Sequence, residues 1–241
     1  MAENFDNPYS ANLIGLWDFR EDYTTEDTGL GDGIAQDGTG SPSTTYAGGW
    51  MLGNGSNTQF SVDGSNDGPF DLTEGTLIST FQPNEVPASD SQTVVSRGLE
   101  TSGDADGENF EIRVTADGSV EVAHADGGAS VLLTTAPGFF TYGDVLTVKY
   151  SWTDGGQTMV VENTTQGTVA TAGDDVAGLS LDVTADGDDS FSIGAAGDGS
   201  ASFNGLIDYV AVLDEDVIAG ELDGIVEGGA TDDLIDTAYT G

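Results

Sequence analysis

The chain of 241 residues contains no cysteine, one histidine and only four lysines and arginines. Each scarcity removes a class of chemistry. Without cysteine there are no disulfides, no thiolate zinc sites and no cysteine nucleophile, and a single histidine, His124, rules out a multi-histidine metal centre. Four cations against 43 carboxylates leave a net charge of −39. Such a surface repels nucleic-acid phosphates and anionic lipid headgroups, because both attract proteins through clustered Lys and Arg. No apolar run approaches the length of a membrane-spanning helix, and the opening MAENFDNPYS has neither the basic nor the apolar region of a secretion signal.

What is present is enough for a core. Apolar residues make up 37% and aromatics 8% of the chain, and there are 36 glycines, roughly twice the usual share. The usual scaling gives roughly 10,000 Å² of folded surface, so net charges lie about 16 Å apart, or two Debye lengths at ~0.15 M salt. The fold therefore does not need molar salt. The composition suits export by a route that reads a C-terminal signal, with the cytoplasm of a halophile as the alternative setting. Asp outnumbers Glu 30 to 13, and the shorter carboxylate favours turns and compact calcium loops.

Short apolar runs alternate with Gly/Asp/Asn/Ser clusters, the pattern of an all-β domain of about a dozen strands. The clearest is Val145 to Trp152, in which Leu146, Val148, Tyr150 and Trp152 share one face and Thr147, Lys149 and Ser151 the other. Phe110, Ile112 and Val114 alternate likewise, and Ala116-Asp117-Gly118-Ser119 turns the chain into Val120, Val122 and His124, a β-hairpin. Further strands are expected at 13–19, 58–62, 75–81, 93–97, 130–134, 158–162 and 202–213, with Leu181/Val183 and Phe191/Ile193 flanking a second copy of the Val-Thr-Ala-Asp-Gly turn. Only Val217 to Val226 has a helical stripe, ended by Gly228-Gly229. One domain is expected over 1–229, followed by an acidic tail or linker over 230–241.

Leu16-Trp17-Asp18-Phe19 and the Asp/Gly loop Asp27 to Gly33, then Phe60 to Asp67, Phe70 to Pro83, Val94 to Gly98 and Phe203-Asn204-Gly205-Leu206-Ile207-Asp208-Tyr209-Val210 stand in order along the chain. This succession resembles the bacterial laminin-G-like domains of the concanavalin A-like lectin/glucanase superfamily, over roughly Asn12 to Val226. The resemblance implies a two-sheet antiparallel jelly-roll sandwich with one short C-terminal helix. It also implies a structural calcium where the early Asp/Gly loop meets the late strand, held by Asp27, Asp32 and Asp208. A departure is Tyr209, which stands where the family pattern has a second Asp.

Other acidic motifs point elsewhere. Asp182 to Gly187 begins like an EF-hand loop but has Ile193 where a bidentate Glu belongs, so it reads as a turn. Gly228 to Asp236 is one imperfect copy of a calcium-binding nonapeptide, and one copy cannot stack. Glycosidases need two carboxylates facing one another across the scissile bond, and no E-x-D-x-E string occurs. His124 continues the Val120/Val122 face and reads as a partly buried structural residue. Tyr46, Trp50 and Tyr142 are candidate stacking platforms for a sugar, with Phe139 and Phe140 beside them. Asn54-Gly55-Ser56 and Asn163-Thr164-Thr165 fit glycosylation sequons. The reading that follows is a secreted, non-catalytic lectin-like module that binds a glycan or cell-surface ligand and carries a structural calcium. Its rival is a self-assembling building block of an extracellular adhesin, filament or surface assembly.

Overall fold

Alternation at period two builds the molecule. The computed structural model describes residues 12–19, 39–40, 45–47, 50–55, 59–62, 70–87, 91–98, 109–126, 128–181, 191–197 and 199–218. The strands are β1 (Leu13–Asp18), β2 (Thr39–Gly40), β3 (Thr45–Ala47), β4 (Trp50–Asn54), β5 (Phe60–Val62), β6 (Gly75–Pro83), β7 (Ser91–Arg97), β8 (Asn109–Thr115), β9 (Val120–Asp126), β10 (Ala129–Thr134), β11 (Leu146–Thr153), β12 (Gly156–Asn163), β13 (Thr168–Asp174), β14 (Phe191–Ile193) and β15 (Asn204–Leu213). They form two antiparallel sheets of a jelly-roll sandwich. One runs β13-β12-β11-β6-β15-β4-β3, with β1 also paired to β15; the other runs β10-β9-β8-β7-β14-β5-β2.

The inner faces meet in one aromatic-rich core. Leu146, Val148, Tyr150 and Trp152 of β11 are fully buried, as are Phe110 and Ile112 of β8. Trp17 stacks on Phe191 at 4.9 Å between ring centroids, and Tyr150 stacks on Trp152 at 5.8 Å. A second, smaller cluster of Leu13, Leu16, Ile78, Ala211 and Leu213 occupies the outer face of the first sheet, with Tyr209 and Val217 packed on it. The chain leaving β15 lies over this cluster: the Thr76 hydroxyl donates to the Glu215 carbonyl at 2.7 Å and accepts from the Val217 amide at 3.1 Å. The described chain ends at Ile218 and contains no complete helix; the helix expected over Val217 to Val226 and the acidic tail lie almost wholly outside the described residues.

The crossing from β13 to the second sheet is held by buried side chains rather than by a strand ladder. Gln157 donates its amide to the Val176 carbonyl at 2.6 Å, His124 bonds the Ser180 carbonyl at 2.7 Å, and Arg97 donates through Nε to the Leu181 carbonyl at 2.6 Å. Asp126 accepts from both the amide and the hydroxyl of Ser180. The Leu181 amide reaches the Leu72 carbonyl at 2.9 Å, which also accepts from the Trp152 indole. Arg97, 0% exposed, pairs with Asp71 at 2.7 Å.

The β8–β9 hairpin forms where the turn residues place it. Gly118 adopts φ +80, and a Cβ there would lie 2.9 Å from the Phe140 carbonyl, so both backbone and space require glycine. The second copy of that turn lies outside the described residues. The alternation pattern does not mark β2, β3, β4 and β13 as strands. In β13 the inward face carries only the half-buried Ala170 and Ala172, so no bulky apolar alternation marks it. Leu146 is wholly enclosed, and Leu146→Ala is expected to cost about 2–5 kcal/mol in denaturant unfolding; a loss under about 0.5 kcal/mol would mean that the site collapses without a cavity.

Candidate functional site

The last strand carries an irregularity at Asp208. On one side β15 pairs with β6, Ile207 opposite Phe81 and Tyr209 opposite Thr80, so Asp208 is the extra residue of a β-bulge. Ile207 and Val210 both remain in the core, which leaves Asp208 and Tyr209 half-buried between them. On the other side β15 changes partners here. Its ladder with β4 ends at Ile207 opposite Met51, and its ladder with β1 begins at Tyr209 opposite Asp18. The Phe19 amide donates to the Asp208 carbonyl at 3.1 Å. Asp208 therefore sits at a corner where β1 ends, β4 begins and Trp50 is the next residue along, half-buried.

This corner joins two expectations. Residues 20–38, with Asp27 and Asp32, follow directly on Phe19 but lie outside the described residues. Among the described residues no three acidic or histidine side chains gather as a metal cluster. A calcium at Asp208 therefore depends on carboxylates from that segment. Tyr46 lies in β3 opposite Met51; its side chain lies outside the described set.

Tyr142 lies in the connection between β10 and β11. It is half-buried, donates its hydroxyl to the Thr115 carbonyl at 3.2 Å and meets Phe140 edge-on at 5.5 Å. Burial and the charge of Asp117 raise its phenol above the usual value. Phe140 is a core residue and offers no free ring face, and Phe139 is half-buried against the core. Asn163 is fully buried, with Nδ2 donating to Asp144 at 2.9 Å, so the sequon there presents no accessible acceptor. Burial pushes the Asp144 carboxyl up, but hydrogen bonds from Thr141, Asn163 and Gln166 outweigh it and hold it low.

His124 is buried more deeply than its sequence context predicts, at 1% exposure. A carbonyl only accepts, so the imidazole carries its proton on Nε2 toward Ser180, and Nδ1 accepts from the Tyr150 hydroxyl at 2.8 Å. Both nitrogens are engaged in the interior, and neither is available as a general base. Of the described cations, Arg97 is enclosed and Arg113 lies between Glu121 at 2.8 Å and Glu111 at 3.5 Å. An open depression of about 540 Å³ lies at the β11–β12 turn. It is lined by Thr153, Thr158, Gly156, Asp174, Asp175 and Asp216, among others, with no cationic residue.

No protein-family model matches the chain, and no curated protein does. Solved structures do. The NanB sialidase from Streptococcus pneumoniae aligns at a TM-score of 0.55 and 16% identity, covering 80% of this chain and 28% of that one. Trypanosoma rangeli sialidase aligns at 0.52 and 14%, covering 85% and 31%. The likeness is one of fold. The chain thus spans less than a third of either sialidase. A Ruminococcus gnavus IT-sialidase CBM40 aligns at 0.49 and 17% identity, covering 84% of this chain and 93% of that one.

The enclosed imidazole makes a pH prediction. Burial first, against the Ser180 hydrogen bond and the Asp126 charge, pulls His124 down to about 4 from 6.5. The unfolded chain takes up a proton below about 6.5 that the folded chain refuses until about 4. Stability is therefore full above that range and falls by about 1.4 kcal/mol per pH unit on the way down. Unfolding at constant ionic strength between pH 7 and 5 is expected to show this slope in the wild type and not in His124→Gln. Equal slopes would assign it to other groups.

Proposed function

We propose that the protein is a secreted, non-catalytic module of the laminin-G-like kind that binds a neutral glycan, with a structural calcium beside the binding surface. The observation that carries this reading is the corner at Asp208, where a half-buried Asp stands at a β-bulge and the β15–β4 ladder ends one residue short of the half-buried Trp50. An aromatic face stacks on the apolar face of a sugar ring, and a carboxylate accepts from its hydroxyls. The sandwich architecture, common to the sialidases named above, supports the reading in kind. Electrostatics selects the ligand. Arg97 is enclosed and Arg113 is held by two glutamates, and the surrounding charge of −39 repels an acidic sugar.

Calcium supplies a hard cation that takes oxygen ligands and can bridge protein to sugar hydroxyls. Asp208, with Asp27 and Asp32, would hold it. Extracellular modules bind calcium at about 10⁻⁴–10⁻³ M. Millimolar calcium is therefore expected to raise the melting temperature, and Asp208→Asn to abolish that rise while stabilisation by sodium chloride persists. Identical responses of variant and wild type would remove the site.

Glycan binding is tested by calorimetry with neutral and sialylated oligosaccharides, with and without chelator. Trp50→Ala is expected to weaken binding of a neutral glycan at least tenfold, about 1.4 kcal/mol, with an unchanged melting temperature. Retained affinity would sink the corner as the site, tight binding of sialylated chains in chelator would overturn the electrostatic argument, and released sugar would restore an enzymatic reading. The rival reading, a building block of an extracellular assembly, is favoured by one feature, the open edge of β13.

A further inference from the structure

Most of this protein's sequence is punctuated by carboxylates, yet residues 163–173 carry no charge and neither do residues 127–143. These stretches contain β10 and all of β13 but its last residue, the terminal strands of the two sheets, which lie side by side along one flank of the sandwich. β13 pairs with β12 along seven residues without a register shift, and among the described residues no backbone partner lies on its other side. It has no proline and no bulge, and its single charge, Asp174, stands at its end. Natural edges are usually blunted by charge, proline, bulges or a covering segment, and among the described residues β13 has none of these ahead of Asp174. Of the three large hydrophobic residues most exposed among the described ones, two are on this flank: Val169 of β13 at 63% and Leu132 of β10 at 55%.

We infer that β13 is a self-association edge, pairing antiparallel with β13 of a second copy about a two-fold axis and joining the two outer sheets into one. Like charge decides where two copies can meet. Each copy brings −39, so close approach is tolerable only along a charge-free seam. A two-fold centred on Thr171 sets Thr171 opposite Thr171, Ala170 opposite Ala172 and Val169 opposite Gly173, a register in which small residues and a favourable Thr–Thr pair meet. Asp174 of each copy then faces Thr168 of the other. The two Asp174 residues end up roughly 20 Å apart, six residues at ~3.4 Å, about two Debye lengths at ~0.15 M salt. β13 offers seven residues of open edge where β3, at the far side of the same sheet, has three, so the symmetric pairing engages more backbone than a head-to-tail one. An isologous contact of this kind closes as a dimer and does not propagate.

The test is sedimentation equilibrium of the purified chain over a wide range of protein concentration, at ~0.15 M and ~1 M sodium chloride. The expected result is association to twice the 24.7 kDa chain mass, tighter at high salt because screening removes the repulsion. The double variant Val169→Asp, Thr171→Asp, at two exposed positions, is expected to weaken the dimer at least tenfold without lowering the melting temperature at low protein concentration. Amide exchange over residues 168–174 supplies a second measurement on the wild type and should slow as protein concentration rises. A wild type that stays monomeric at both salts, a double variant that dimerises equally well, or a dimer weakened by salt would each overturn the inference. The first of these would leave the edge to a strand from a different protein. Glycan affinity plays no part in this readout, so it stands or falls apart from the proposed binding function.

Discussion

The sandwich depends on how the chain satisfies one buried, irregular crossing. Between β13 and the second sheet, the backbone at Val176, Ser180 and Leu181 lies against the interior, where unpaired carbonyls and amides are costly. Gln157, His124, Arg97 and Asp126 meet those groups from strands of both sheets. The same side chains therefore close the core and fix how the two layers are stacked. Arg97 has the furthest reach: its guanidinium also pairs with Asp71 and lies 5.8 Å from the Phe70 ring centroid. That contact holds the segment before β6 to the same seam.

This use of the few cations sets the electrostatic character of the surface. A protein with four basic residues that encloses one and places another between two glutamates has little positive potential left to present. What remains outward is a carboxylate field interrupted by charge-free strands. A partner would meet least repulsion on such a surface through neutral hydroxyl-rich groups, a divalent cation held in common, or the uncharged seams. Those are the three modes to which the corner at Asp208 and the edge of β13 correspond.

The legible part of the fold was the part written in local alternation. Tyr150, Trp152, Phe110 and Ile112 are bulky residues at period two, and that pattern admits one orientation toward the core. The Asp117-Gly118 turn was legible because its chemistry is contained in four residues. β13 was not, since an edge strand whose inward face carries only alanines has no bulky residues to write a pattern. The crossing was equally opaque, because Arg97 and His124 lie 84 and 56 residues from their carbonyl partners and nothing local marks them as its anchors. At the candidate site, Asp208 stood out as a carboxylate in an apolar strand. Its place at the corner follows from a change of strand partner that only tertiary structure specifies. Phe140 and Asn163 looked like surface features by composition and became interior ones through packing with distant neighbours.

The three tryptophans occupy unequal surroundings, and this gives the protein a built-in optical label. Trp17 and Trp152 are 2% and 0% exposed, shielded from aqueous quenchers and emitting from an apolar medium. Trp50 alone stands partly in solvent, one residue beyond the end of the β15–β4 ladder. Red-shifted, quencher-sensitive emission of the native protein therefore belongs almost wholly to the corner at which β4 gives way to β1. Changes in that component report on the corner alone, while the blue component follows the integrity of the core.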